Sequence, residues 1–187
     1  MAIVIYIVIM VIIGMIIGAA RELKIGDPGL LSTDVGPVID ADALQILQEH
    51  AVRMEKEARL IAAAELDEAA AHGTFFAPRA YELKNLDQLH KEIFGPVLPI
   101  QIVESLDEAI ALANDSEYGL TSSLYTRSLS AAMHASNALD FGETYINREN
   151  FEAMQGFHAG TRKSGIGGAD GKHGLYEYTH THVVYIQ

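Results

Sequence analysis

The chain has 187 residues, enough for one domain with a continuous core and too few for two large ones. Apolar residues make up 49%, which excludes a disordered polymer, and a net charge of −12 opposes binding to a phosphate backbone, so nucleic acid is not an expected partner. Cysteine is absent, which removes disulfides, thiolate metal sites and thiol chemistry from the chain itself.

Ala2 to Ala20 carries no charge and is crowded with isoleucine and valine. At about 1.5 Å per residue this run approaches the roughly 30 Å of a bilayer core, so a membrane or interface anchor is one reading. No basic stretch precedes it, as a secretory signal requires. The β-branched density of Ile3 to Ile9 favours the other reading, a buried strand followed by a helix that is apolar on every side and carries Gly14 and Gly18.

After Arg21 the pattern changes to that of a water-facing α/β unit. Gly26-Asp27-Pro28-Gly29 reads as a turn. Asp40 is placed to cap a helix over Ala43 to Ala58, with Leu44, Leu47, Ala51 and Met54 turned inward at helical spacing. Leu60-Ile61-Ala62 reads as a short strand, Glu65 to Ala71 as a loose surface insertion, and Gly73 to Pro78 as the start of another extended segment. A short helical approach over Asn85 to Lys91 leads to a strand over Val97 to Val103, with Pro99 at a bulge or unpaired edge.

Ser105-Leu106-Asp107-Glu108 has the spacing of a capping box and opens a helix burying Ala109, Ile110, Leu112 and Ala113. Thr121 to Thr126 reads as a strand. Ser128 to Ala138 reads as a helix with an inward stripe of Leu129, Ala132, Met133 and Ser136, and Thr144 to Asn147 as a strand. Strands alternating with helices over short connections predict an α/β fold, a mostly parallel sheet covered by helices.

Glu92-Ile93-Phe94-Gly95-Pro96-Val97-Leu98-Pro99 resembles the aldehyde dehydrogenase superfamily. The resemblance continues, in the family's order, through Ala109 to Asn114, Tyr118 to Thr121, Gly142-Glu143-Thr144-Tyr145-Ile146-Asn147, Lys163 to Gly167 and Gly174 to Tyr178. Asn147 to Gly160 resembles the lactaldehyde/glycolaldehyde branch. Gly26 to Pro28 with Ser32 to Asp40 is similar to the aldehyde-oxidising half of bifunctional proline-catabolism enzymes, a mixture that reads as a hybrid or engineered sequence.

The resemblance implies residues 1–20 as an apolar strand or helix, 21–178 as part of an aldehyde dehydrogenase catalytic domain, and 179–187 as a C-terminal oligomerisation strand. It implies NAD(P) as cofactor, with Glu92 on the nicotinamide ribose hydroxyls and Phe94 beside the nicotinamide ring. A carboxylate can accept from two neighbouring hydroxyls, though an exposed acid capping a turn would look the same. Glu152 and His158 are implied as substrate-lining groups that greet a hydroxylated short-chain aldehyde, with Asn150 and Phe151 in the same loop; plain polar loop residues are the alternative. Thr161 stands where that branch usually has tryptophan.

No residue is assigned a catalytic role. In the family a cysteine thiolate attacks the aldehyde, and neither that nucleophile nor the nucleotide-binding domain is found in these residues, so the isolated chain is expected to be inactive and to bind NAD(P) poorly. A homo-oligomer or a complementing polypeptide is the expected partner, with a short-chain aldehyde bound once complemented, and the cytoplasm is the expected location. A non-catalytic assembly module and a membrane-anchored protein are the alternatives. The Gly165 to Gly168 stretch lacks the spacing of a phosphate-binding loop. His173, His180 and His182 lack a carboxylate partner, so no metal is expected.

Overall fold

In the computed structural model, which describes residues 2–187 and the side chains of all of these except 2–8, 69 and 71, the apolar run forms a single helix, α1 (Ala2–Glu22). The strand expected over Ile3 to Ile9 is therefore corrected. A strand needs a neighbour to take its backbone groups whereas a helix satisfies them internally, and apolar content alone does not separate the two. Ile9, Ile13, Ile16 and Ala20 turn inward at helical spacing, with Ile13 buried, while Met10, Val11, Ile12 and Met15 face solvent. Among the described residues no helix is long and apolar enough to cross a membrane.

The chain forms two compact units, one ending at Ile102 and the other running Val103–Gln187. In the first, Asp40 Oδ1 accepts the Ala43 N–H at 2.8 Å and opens α2 (Ala41–Glu57). Its inner face is the one the spacing predicts: Leu47, Ala51 and Met54 are buried and Leu44 packs beside them. Leu47 and Ala51 meet Phe76, with Val38, Ile93 and Val97 around them. One turn on, Met54 meets Tyr81 and Leu83.

These side chains cover a three-stranded sheet, β1 (Arg59–Ala63), β2 (Arg79–Leu83) and β3 (Val97–Gln101), in that spatial order. β1 runs antiparallel to β2 and β3 parallel to it. Pro99 lies opposite Tyr81 on the edge strand, where its missing N–H leaves no central ladder bond unmade. Between the strands, Glu68–Ala71 forms a 3-10 turn capped by Asp67, with Ala70 buried, so this insertion is more ordered than its composition predicts. The short helical approach is a 3-10 turn, Leu86–Leu89, closed by a reciprocal cap between Asn85 and Gln88.

The second unit begins with α3 (Leu106–Asn114). Ser105 Oγ accepts from the Glu108 N–H at 3.1 Å, but the Glu108 carboxylate takes the N–H of Glu104 rather than that of Ser105, so the expected capping box is only half formed. β4 (Tyr118–Gly119), β5 (Thr121–Leu124), α4 (Leu129–Ala138), β6 (Glu143–Ile146), β7 (Thr161–Arg162) and α5 (Gly171–Glu177) follow. β5 and β6 pair in parallel with α4 crossing between them, and β4 pairs antiparallel with β7.

The stripe predicted on α4 is also corrected. Leu129 and Met133 are 77% and 55% exposed, and the buried positions are Ala132 and Ala135. The face turned inward is thus the one bearing small side chains. Arg162 ties this unit together: its guanidinium donates to the carbonyls of Asn114, Ser116 and Asp140, taking up acceptors that the end of α3 leaves unpaired. Among the described residues, 179–187 join no strand ladder, and Val183 to Ile186 are exposed.

Leu47 is 1% exposed between helix and sheet. Leu47→Ala is expected to cost about 2–5 kcal/mol, read as a lower urea midpoint at unchanged slope. Asp40→Ala, which removes one capping acceptor, is expected to cost only about 1 kcal/mol in the same assay.

Candidate functional site

The loop between the Leu86–Leu89 turn and β3 carries Glu92 and Phe94. Ile93 packs into the Leu47 cluster, and its neighbours on either side are left in solvent, Phe94 at 84% exposure. Gly95 lies so close over α2 that a Cβ there would stand 2.4 Å from Leu47 Cδ2. His90 and Phe94 both adopt left-handed backbone angles, φ 53° and 36°, which non-glycine residues hold at a cost of order 1–3 kcal/mol. The result is a carboxylate and an aromatic face presented outward by a clamped, strained loop. An exposed carboxylate with two accepting oxygens suits a pair of neighbouring ribose hydroxyls, and an exposed ring suits a flat heterocycle, so these side chains fit a nicotinamide nucleotide.

Beside this loop a cavity of about 310 Å³ is lined by Ile46, His50, Arg53, His90 and Lys91 among others. His50 is buried on the inner face of α2 and its Nε2 has no hydrogen-bond partner. Burial, and then the Arg53 guanidinium, hold its imidazole below the usual histidine range.

In the second unit the alternation of β6 puts Glu143 and Tyr145 on one face. Glu143 Oε2 accepts from the Tyr145 hydroxyl at 2.7 Å and stands 3.1 Å from His158 Nδ1. The Glu143 side chain is 14% exposed and that of His158 32%. The imidazole is turned so that this close contact is not a hydrogen bond, and Nδ1 is buried without a partner. Glu152 lies near enough for its charge to act on the Tyr145 phenol, and the Arg148 guanidinium sits 5.5 Å over the Tyr145 ring. The Glu143 hydrogen bond foremost, then burial and the Glu143 and Glu152 charges, push the phenol up to about 12, with Arg148 opposing.

The structure thus brings His158 against Glu143, beside Tyr145, with the Glu152 charge in range of the phenol, whereas the other two expected residues of the loop turn elsewhere. Asn150 turns its amide back to Thr121 Oγ1 at 3.2 Å, and Phe151 is 71% exposed with its carbonyl held by Arg148. Glu143 and Tyr145 lie within the Gly142 to Asn147 motif but outside the candidates the sequence singles out. The available signal was their period-two spacing opposite a histidine loop.

That loop is placed by backbone packing. At Gly142 a Cβ would come within 1.6 Å of the Ala159 carbonyl oxygen, so only glycine lets the chain beside His158 lie against the start of β6. Asn147, at φ 56°, then ties β6 to the end of β5: its amide accepts from the Thr126 N–H at 2.7 Å and donates to the Thr126 carbonyl at 2.8 Å. Thr161 donates its hydroxyl toward the carbonyls of Gly119 and Asp140. Among the described residues no group of three or more histidine, aspartate or glutamate side chains is arranged to hold a metal.

The α/β fold resembles the catalytic domain of aldehyde dehydrogenases, and the chain belongs to the aldehyde dehydrogenase family, whose model matches residues 8–184. The lactaldehyde dehydrogenase of Escherichia coli (strain K12) is 52% identical over 173 residues, covering 90% of this chain and 36% of the relative. A solved lactaldehyde dehydrogenase structure superposes with a TM-score of 0.83 at 47% identity, over 94% of this chain and 37% of that one. The bifunctional protein PutA of Klebsiella aerogenes is 38% identical over 149 residues, covering 76% of this chain and 11% of PutA. The chain therefore spans about a third or less of the relatives it matches. Likeness to one lactaldehyde dehydrogenase covers 90% of the chain, so the PutA-like stretch near Asp40 gives a hybrid origin no support.

Two outcomes are expected here. In spectrophotometric titration the Tyr145 phenol ionises near pH 12, and Glu143→Gln returns it toward the ordinary value of 10.0. The folded chain keeps this proton longer than the unfolded chain, so the associated stability is complete below pH 10.0 and fades as pH rises toward about 12. Gly142→Ala forces the Ala159 peptide away and is expected to lower stability by about 1–3 kcal/mol or more in urea unfolding.

Proposed function

We propose that the chain is the downstream part of the catalytic domain of an NAD(P)-dependent aldehyde dehydrogenase for short hydroxy-aldehydes of the lactaldehyde or glycolaldehyde type, and that alone it turns nothing over. The observation that carries this reading is Glu143 on β6, whose Oε2 takes the Tyr145 hydroxyl at 2.7 Å and stands 3.1 Å from His158 Nδ1, in a chain 52% identical to a lactaldehyde dehydrogenase. A pocket wall that pairs with a substrate hydroxyl rejects the plain alkanal, because its own polar groups would then be left unpaired. In this reading Glu152 and His158 meet the hydroxyl, with Asn150 and Phe151 at the rim of the same loop.

Glu92 holds the nicotinamide ribose through two hydroxyls, and Phe94 presents its exposed ring to the nicotinamide. The bound nucleotide supplies the hydride acceptor. The acceptor is useless until the aldehyde carbon is trapped, and the chain contains no cysteine to trap it. Turnover therefore needs residues beyond these 187 to bring the thiolate and the rest of the nucleotide site. The exposed apolar side chains of Val183 to Ile186 support assembly, with the missing part or with further copies, since covering apolar surface is favourable. The reading places the protein in the cytoplasm.

Purified chain incubated with NAD+ and glycolaldehyde is expected to give no NADH above the buffer rate and no covalent adduct by intact-mass measurement. A rate above buffer, or an acyl adduct, defeats the inert reading. Complementation with the remainder of a lactaldehyde dehydrogenase is expected to restore oxidation of glycolaldehyde well above that of acetaldehyde.

A second reading, a non-catalytic assembly module, is favoured by the outer face of α1, where Met10, Val11, Ile12 and Met15 stand in solvent together. Concentration-dependent light scattering, with no change in thermal stability on adding millimolar NAD+, is the outcome that selects it.

A further inference from the structure

We propose that Glu143 is a positioning residue that sets which nitrogen of His158 faces the substrate, by holding the ring hydrogen on Nδ1 and leaving Nε2 as an acceptor for the substrate hydroxyl. The assignment rests on the hydroxy-aldehyde reading above and adds to it a residue that does not itself line the pocket loop.

The geometry leaves Nδ1 one use. This atom is buried, has no hydrogen-bond partner, and has a carboxylate oxygen of Glu143 at 3.1 Å. The distance is already that of a hydrogen bond, and only the direction of the N–H has to come into line. An ionised carboxylate can only accept, so the hydrogen of a neutral imidazole belongs on Nδ1, and the lone pair falls to Nε2.

Glu143 is itself held from the other side. The same oxygen takes the Tyr145 hydroxyl at 2.7 Å, and the Glu143 side chain is only 14% exposed, so water competes poorly for it. A carboxylate orienting an imidazole in this way is a general device of histidine sites.

The backbone keeps the pair in register. Gly142, next to Glu143, admits the Ala159 carbonyl to a position that any Cβ would occupy, and Ala159 also bridges to Gly168. The backbone next to His158 is thus held on both sides. The consequence is selectivity. A hydroxyl can donate to a bare Nε2, and an alkanal has no hydrogen to offer there, so the tautomer becomes part of the preference for hydroxylated aldehydes.

The test is long-range 1H–15N correlation spectroscopy of the full chain labelled with 15N-histidine, at about pH 8.5, some two units above the ordinary histidine value. His158→Gln assigns the signal. His158 is expected as the Nδ1–H tautomer. Glu143→Ala is expected to move it to the Nε2–H form that the free histidine side chain prefers. Glu143→Gln, whose side-chain carbonyl still accepts, is expected to keep Nδ1–H, and Tyr145→Phe to leave it in place.

An Nε2–H ring in the unsubstituted chain overturns the proposal, as does an unchanged tautomer in folded Glu143→Ala. If that variant does not fold, the spectrum of the unsubstituted chain still decides. The readout needs no substrate. Loss of the glycolaldehyde preference in the complemented enzyme with Nδ1–H intact would sink the substrate reading while upholding the hold of Glu143 on the ring.

Discussion

In each unit a loop depends on the same constraint, the absence of a Cβ where it crosses the scaffold. At Gly95 the missing atom would lie 2.4 Å from Leu47 Cδ2, and at Gly142 it would lie 1.6 Å from the Ala159 carbonyl oxygen. Loops are mobile by default, because few buried contacts hold them. Here each is pressed onto a packed element: Ile93 and Gly95 seat the Glu92–Phe94 loop on α2, and Gly142 seats the His158 loop on β6. The polar side chains then inherit their directions from the core.

The energetic character of the two loops differs. Around Glu92 and Phe94 the cost lies in the backbone, two left-handed non-glycine residues within five positions. Around Glu143 it lies in electrostatics, a largely covered carboxylate balanced by a phenol, an imidazole and, through the Tyr145 ring, a guanidinium. Partly buried polar networks reward complete pairing and penalise partial pairing heavily, so each partner constrains the others. That coupling explains why the Tyr145 proton is held so far above the usual phenol range.

Local signals were read correctly wherever the energy is local. Asp40 predicted its own hydrogen bond, and the spacing of Leu44, Leu47, Ala51 and Met54 predicted the buried face of α2, because a cap and a helical stripe involve only near neighbours. Readings that needed a partner went astray. β-branched residues in Ile3 to Ile9 suit a strand only if another strand pairs with it, and α1 forms instead. Leu129 and Met133 are apolar at the right spacing, yet α4 packs through Ala132 and Ala135. Glu108 has the right residue type for a capping box, but its carboxylate reaches one residue too far.

The sequence alone determined the family, the α/β class, the lack of a thiol nucleophile and the two loops bearing polar candidates, because these follow from residue identity and from order along the chain. Tertiary structure alone decided that Glu143 and Tyr145 join His158, that Asn150 turns away toward Thr121, and that α1 is a helix with one face in solvent. The physical reason is separation along the chain. Glu143 and His158 are fifteen positions apart, and their meeting depends on a backbone approach at Gly142 that no local propensity encodes.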